Sequence, residues 1–144
     1  MSTRSDIIVH RADGSWKRIY CHFDGYLSGV GAILLQHYNS QERADLLVEP
    51  GNLSSLAPKC DKPKGHSFET RKKGYCVYYG RDRGDTVFVA GDVGATLEEV
   101  WPAKDSWTEY TYVFDDGVWF LADKSDKCKK MDKLGDLLAG SLAT

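Results

Sequence analysis

The sequence predicts an α+β fold, a curved antiparallel sheet of about three hairpins with helices packed on one face. Two Asp-Gly turns, at 13–14 and 116–117, each lie between extended runs and mark hairpins. Between them, just past residue 26, the apolar spacing changes from period two to the period of a helix. The chain's 144 residues suffice for one hydrophobic core without a metal or disulfide staple, and no linker or internal repeat divides it. A single domain, 1–144, is therefore expected.

Residues 6–11 are short and β-branched, and the turn at 12–15 returns the chain into a second extended run, so the first two strands should pair. Alternation on the second strand puts Trp16, Arg18, Tyr20 and His22 on one face and Lys17, Ile19, Cys21 and Phe23 on the other. The latter set is the better core face. After Asp24, Gly25 and Tyr26, Ser28 is positioned as an N-cap for a helix with Val30, Ile33, Leu34, His37 and Tyr38 on one stripe. Ser40 then caps a second short helix carrying Ala44, Leu47 and Val48, which Pro50 and Gly51 end.

Residues 52–74 hold Pro58, Pro63, Gly65 and six basic residues, and read as a long, mostly irregular and mobile loop. A strand at 75–79, a charged turn at 80–85 and a shorter strand at 86–89 predict the second hairpin. Thr96 caps one or two helical turns that stop at Pro102. The third hairpin joins 108–114 to 118–122. From 125 to 142, Met131, Leu134, Leu138 and Leu142 recur at helical spacing with lysines outside, predicting a C-terminal amphipathic helix weakened by Gly135 and Gly140.

The net charge of −2 excludes the uniformly basic profile of a general nucleic-acid binder, yet it conceals a strong local asymmetry. Residues 59–83 carry eight Lys or Arg against three acids, whereas 84–123 carry nine acids against Lys104. Four cysteines, at 21, 60, 76 and 128, lack Cys-x-x-Cys spacing, and the chain opens on no apolar leader. Free thiols and a cytoplasmic location are the expectation. No run approaches the ~18 apolar residues of a membrane-spanning helix.

Four constellations carry chemistry. Gly25, Gly29 and Gly31 at a helix start, with Tyr26 and Tyr20 beside them, let backbone approach an anion or nucleotide. Their spacing completes neither a dinucleotide fingerprint nor a P-loop, and a tight turn explains it as well. His22 and Asp24 share a strand face and offer a metal pair, while Cys21 points the other way. A nucleophilic cysteine is disfavoured because Cys21 and Cys76 lie in apolar, aromatic strands. Finally, Arg81 and Arg83, with Arg71, Lys72 and Lys73 near tyrosines, suit phosphate contacts and stacking or an acidic protein partner. Asp115, Asp116 and the other acids offer the opposite surface, an imitation of a phosphate backbone. No cofactor is implied. The adhesion-like tripeptide Arg83, Gly84, Asp85 has no role in a cytoplasmic protein.

The opening residues 1–5, the run 19–26 (IYCHFDGY) with Gly29, Val30 and Gly31, the element 53–56 (LSSL), the turn 81–84 (RDRG) and the run 112–119 together resemble a family of small accessory proteins encoded by phages and prophages. The resemblance implies a context of counter-defence, including anti-CRISPR-type inhibition. On that basis the chain is expected to be non-catalytic and to bind a host defence complex, such as a nuclease or CRISPR-type effector, blocking its nucleic-acid path. The docking surface is expected at the basic residues or at Asp115 and Asp116. Two alternatives stand beside it: a sponge for a cyclic or ADP-ribose-type nucleotide signal at Gly25 to Gly31, and a small metal-assisted hydrolase using His22 and Asp24.

Overall fold

A computed structural model describes residues 2–87, 89–126 and 130–142. Its strands are β1 (Ser5–His10), β2 (Trp16–Cys21), β3 (Leu53–Ser55), β4 (Val77–Tyr78), β5 (Asp92–Gly94), β6 (Tyr110–Asp115), β7 (Val118–Ala122) and β8 (Met131–Lys133). They form one open, mixed sheet in the order β4-β3-β2-β1-β6-β7-β8, with β5 sharing the outer edge of β2 with β3. The helices are α1 (Ala32–His37), α2 (Gln41–Val48), α3 (Leu97–Val100) and α4 (Leu134–Leu142). The α+β class holds.

Two of the expected hairpins are present. β1 pairs antiparallel with β2, and β6 pairs with β7 across Asp116 and Gly117, whose φ values of 50° and 80° fit a tight primed turn. Two other neighbours run parallel, β1 with β6 and β2 with β3, so the sheet is mixed rather than purely antiparallel. The second expected hairpin does not close. β4 pairs with β3 instead, and Val89 passes beside residues 51–52, its carbonyl accepting from the Asn52 N–H at 2.8 Å. The chain at 80–85 is folded onto itself because the buried Asp82 carboxylate takes the Tyr78 N–H at 2.7 Å.

Within β2 alternation sorts as expected, with Lys17, Ile19 and Cys21 buried and Trp16, Arg18 and Tyr20 partly open, but Phe23, expected on the core face, lies past the end of the strand and is exposed. The larger core joins Ile7, Val9, Ile19 and Tyr112 to Val30, Leu34, Tyr38, Leu47 and Leu134 from the helical segments. The helices are not all on that face, however. Val100 of α3 packs with Ile8, Val113 and Ala122 on the opposite one. Lys17 is tolerated at its buried position because its ammonium reaches the Glu49 carbonyl at 3.2 Å, just past the end of α2.

Ser40 and Thr96 cap α2 and α3 as expected, accepting from the N–H groups of Arg43 and Glu99. Ser28 does not act as a cap. A π-helical turn, Leu27–Gly31, precedes α1, and the Asp24 carbonyl accepts from Val30 at 2.8 Å while that of Tyr26 accepts from Gly29 at 3.0 Å. The C-terminal segment is shorter as a helix than expected, because residues 131–133 form β8. Met131 joins the cluster around Ile8 whereas Leu134 joins that around Ile7, so the two side chains serve opposite sheet faces. One continuous helix, in which positions three apart share a face, could not place them so. Residues 127–129 of the expected helix lie outside the described residues.

Gly29 is held close to its own turn: a Cβ there would stand 2.3 Å from the Asp24 carbonyl oxygen, whereas at Gly135 it meets nothing within 4 Å. Gly29→Ala should therefore lower stability by about 1–3 kcal/mol. Gly135→Ala, which removes a poor helix former, should raise it by up to about 1 kcal/mol. Urea melts of both variants check the pair.

Candidate functional site

The basic segment is anchored rather than loose. Lys59 and Tyr75 form a parallel bridge, and Cys60 and His66 are buried, as is Leu56 immediately before the segment. The Nδ1 of His66 accepts the Lys72 N–H at 3.0 Å, and its Nε2 donates to the Cys76 carbonyl at 3.1 Å with the Asp82 carboxylate at 3.5 Å. The imidazole is thereby fixed as the neutral Nε2–H form. Arg81 completes the knot, donating to Asp82 Oδ1 at 3.0 Å and to the Cys60 carbonyl at 2.6 Å while its guanidinium lies 4.5 Å from the Tyr78 ring centre. Arg81 is thus part of the scaffold that shapes the segment.

That scaffold leaves Arg71, Lys72, Lys73 and Arg83 exposed. Arg71 and Arg83 both stack on Phe68, at 4.4 and 4.8 Å, and Arg83 also stacks on Tyr79 at 4.8 Å. Arg83 pairs with Asp85 at 2.5 Å, which holds its guanidinium over the two rings. Asp115 and Asp116 sit at the other end of the sheet, since the register sets His10 beside Trp16 and Cys21 beside Ser5. Asp115 is engaged by His10 at 2.8 Å, and His10 itself stacks on Trp16.

The glycines at the helix start are filled by protein. A Cβ on Gly25 would meet Ser5 and the Thr3 carbonyl at 2.8 Å, and one on Gly31 would meet the Tyr112 ring at 3.3 Å. Tyr112 donates its hydroxyl to the Gly25 carbonyl at 2.7 Å, so close packing accounts for these positions. Tyr26 is exposed and donates to Asp24 at 3.3 Å. His22 stands against Tyr20, with its Nδ1 2.7 Å from the Tyr20 hydroxyl, and Asp24 turns with φ 58°. Among the described residues no three His, Cys, Asp or Glu side chains group as a metal site. Burial pushes the Cys21 thiol up to about 12 and the Cys76 thiol up to about 11, which leaves both as inert thiols at neutral pH. Cys128 lies outside the described residues.

Tyr20 belongs to a different site. Between the face of the sheet that carries Asp6, Arg18 and Tyr20 and the segment 102–108 runs a cleft of about 330 Å³, lined by these residues and by Asn52, Pro102, Ser106, Trp107 and Thr108 among others. It continues past Tyr20 and Asn52 into a shallow recess with Tyr79 and Arg83. Asp6 is 5% exposed and accepts the Thr108 hydroxyl at 2.5 Å. Its carboxyl is raised above the ordinary range by burial, opposed by that hydrogen bond and by the charges of Arg18 and Lys124. Lys124 fixes the far wall by donating to the carbonyls of Ser106 at 2.8 Å and Thr108 at 2.5 Å. Trp107, at the rim, is 78% exposed with the Arg4 guanidinium 5.5 Å from its ring. In the sequence, the one signal for this site was a tryptophan standing in a turn rather than in an alternating run.

No protein-family model, curated protein or solved structure matches the chain.

Replacing Arg81 by Ala removes the partner of a buried carboxylate and should cost about 3 kcal/mol. Arg83→Ala should leave the melting transition nearly unchanged. Comparing the two denaturant midpoints separates scaffold from surface. A second outcome concerns pH. Because Asp6 is raised when folded, the native state binds more protons than the unfolded chain around and above the ordinary value of 3.8. Its contribution to stability is therefore most favourable below that value and declines as pH rises through the folded value. Asp6→Asn should abolish this decline in a series of melts from pH 3 to 7.

Proposed function

We propose that this is a non-catalytic phage accessory protein that binds a nuclease or CRISPR-type effector of the host and blocks its nucleic-acid path. The observation that carries this reading is the anchored basic platform. Buried His66 and Asp82, tied by Arg81, hold the segment in one shape, and Arg71, Lys72, Lys73 and Arg83 stand out from it with arginines already stacked on Phe68 and Tyr79. Cations held in place bind phosphate or carboxylate surfaces with less loss of side-chain freedom than cations on a mobile loop. Such a platform suits the phosphates of a strand that an effector holds, or carboxylates beside its path, and seated there it blocks that path. The free, buried thiols of Cys21, Cys60 and Cys76 fit the reducing cytoplasm of the host bacterium. Among the described residues no helix is long and apolar enough to cross a membrane.

The test uses a host whose nuclease-based defence restricts a challenge phage. Expression of the protein should restore plaquing, and the triple change Arg71→Glu, Lys72→Glu and Lys73→Glu should reduce that restoration by at least about tenfold, a loss of about 1.4 kcal/mol in binding. The same variant should melt like the parent, since none of the three side chains is buried. Full protection by the triple variant, or no restoration by the parent across nuclease-based systems, overturns the reading.

A further inference from the structure

The cleft beneath Trp107 is not used by the basic platform, and its features point to a small ligand. Large apolar side chains left in water at the rim of a concavity mark binding surfaces, and Trp107 is 78% exposed there. The volume of about 330 Å³ falls within the range of small-molecule pockets, roughly 300–1,000 Å³. The walls are also preformed. Lys124 ties Ser106 and Thr108 from behind, and β1 and β2 supply the floor.

We propose that this cleft binds a nucleotide, with the base stacked against Trp107, an exocyclic amino group of the base on Asp6, and the phosphate at Arg4. Each part of the ligand has a matching group. The indole presents an aromatic face of the kind on which any base can stack. The Asp6 carboxyl uses one oxygen for the Thr108 hydroxyl, and an ionised carboxylate has further acceptor sites for an amino N–H. Arg4 lies over the indole at the mouth, where its guanidinium offers a cation to a phosphate. Arg18, by contrast, is committed to the wall, donating to the Val100 carbonyl at 2.7 Å and to Asp92 at 2.6 Å. A base without an exocyclic amino group loses the Asp6 contact.

Titration calorimetry and tryptophan fluorescence with AMP, GMP, CMP and UMP test the assignment on the full chain. Saturable binding with fluorescence quenching is expected for the amino-bearing nucleotides, at least about tenfold tighter than for UMP. Trp107→Ala should remove the quenching and weaken binding by about tenfold or more, and Arg4→Ala should weaken AMP binding while leaving adenosine binding unchanged. A single-stranded oligonucleotide separates a free nucleotide from a strand end: tighter binding of the mononucleotide supports a site for the free nucleotide. Absence of saturable binding by all four nucleotides, equal binding of UMP, an unaffected Trp107→Ala variant, or tighter binding of the oligonucleotide overturns it. The triple platform variant keeps this binding, so the fate of the cleft and that of the platform are read independently.

Discussion

Everything in this structure depends on β1 being enclosed. The strand carries ladder hydrogen bonds to β2 on one edge and to β6 on the other, with Ile7 and Val9 buried on one face and Ile8 on the opposite face. A strand closed on four sides leaves its polar residues few choices. Ser5 crowds Gly25 so closely that residue 25 has no room for a side chain, and this fixes the entry of the chain into the π-helical turn. Asp6 is drawn under the segment 102–108 and must be met by Thr108 there. The glycine-rich turn and the cleft are thus both consequences of one buried strand.

What could be read from the residues was the local part of this arrangement. The two Asp-Gly hairpins, the caps at Ser40 and Thr96 and the sorting of β2 into two faces all rest on interactions within a few residues, which leave periodic or capping signals. Pairing of β1 with β6 joins residues about a hundred positions apart, and a parallel ladder leaves no turn motif to announce it. The failed second hairpin has a different cause. Residues 75–79 do read as a strand, but Asp82 takes the Tyr78 N–H and Arg81 ties the turn to Cys60, a competition by side chains for backbone groups that periodicity does not register. At residues 131–134 the helical spacing was real, yet the sheet edge at β7 offered ladder bonds that the helix did not.

The charge asymmetry of the sequence resolves unequally in space. The acids do not assemble into a row: Asp92 holds Arg18, Glu99 accepts the Ala95 N–H, Asp115 holds His10 and Asp85 holds Arg83. Each of these four has a local structural partner. The cations at 71–73 keep no such carboxylate among the ion pairs of the described residues, and the carbonyl that Arg71 meets, that of Phe68, lies on its own turn. Surface pairs of the first kind contribute little to stability but do neutralise the potential they would otherwise project.

Rigidity and exposure in the basic segment come from one chemical device. A neutral imidazole and a carboxylate buried side by side are costly unless every lone pair and proton is met, and here backbone groups of residues 72, 76 and 78 meet them together with Arg81, which in turn donates to the Cys60 carbonyl. Because the partners are backbone atoms scattered over twenty residues, satisfying the pair fixes the path of the whole segment without a regular element. The side chains that point away from the knot are then the ones at 71–73 and 83, and the route from Phe68 through Arg83 to Tyr79 carries the same aromatic and cationic surface to the edge of the cleft. Arg81 and Arg83, two residues apart and alike in the sequence, end with opposite duties because Asp82 between them is buried.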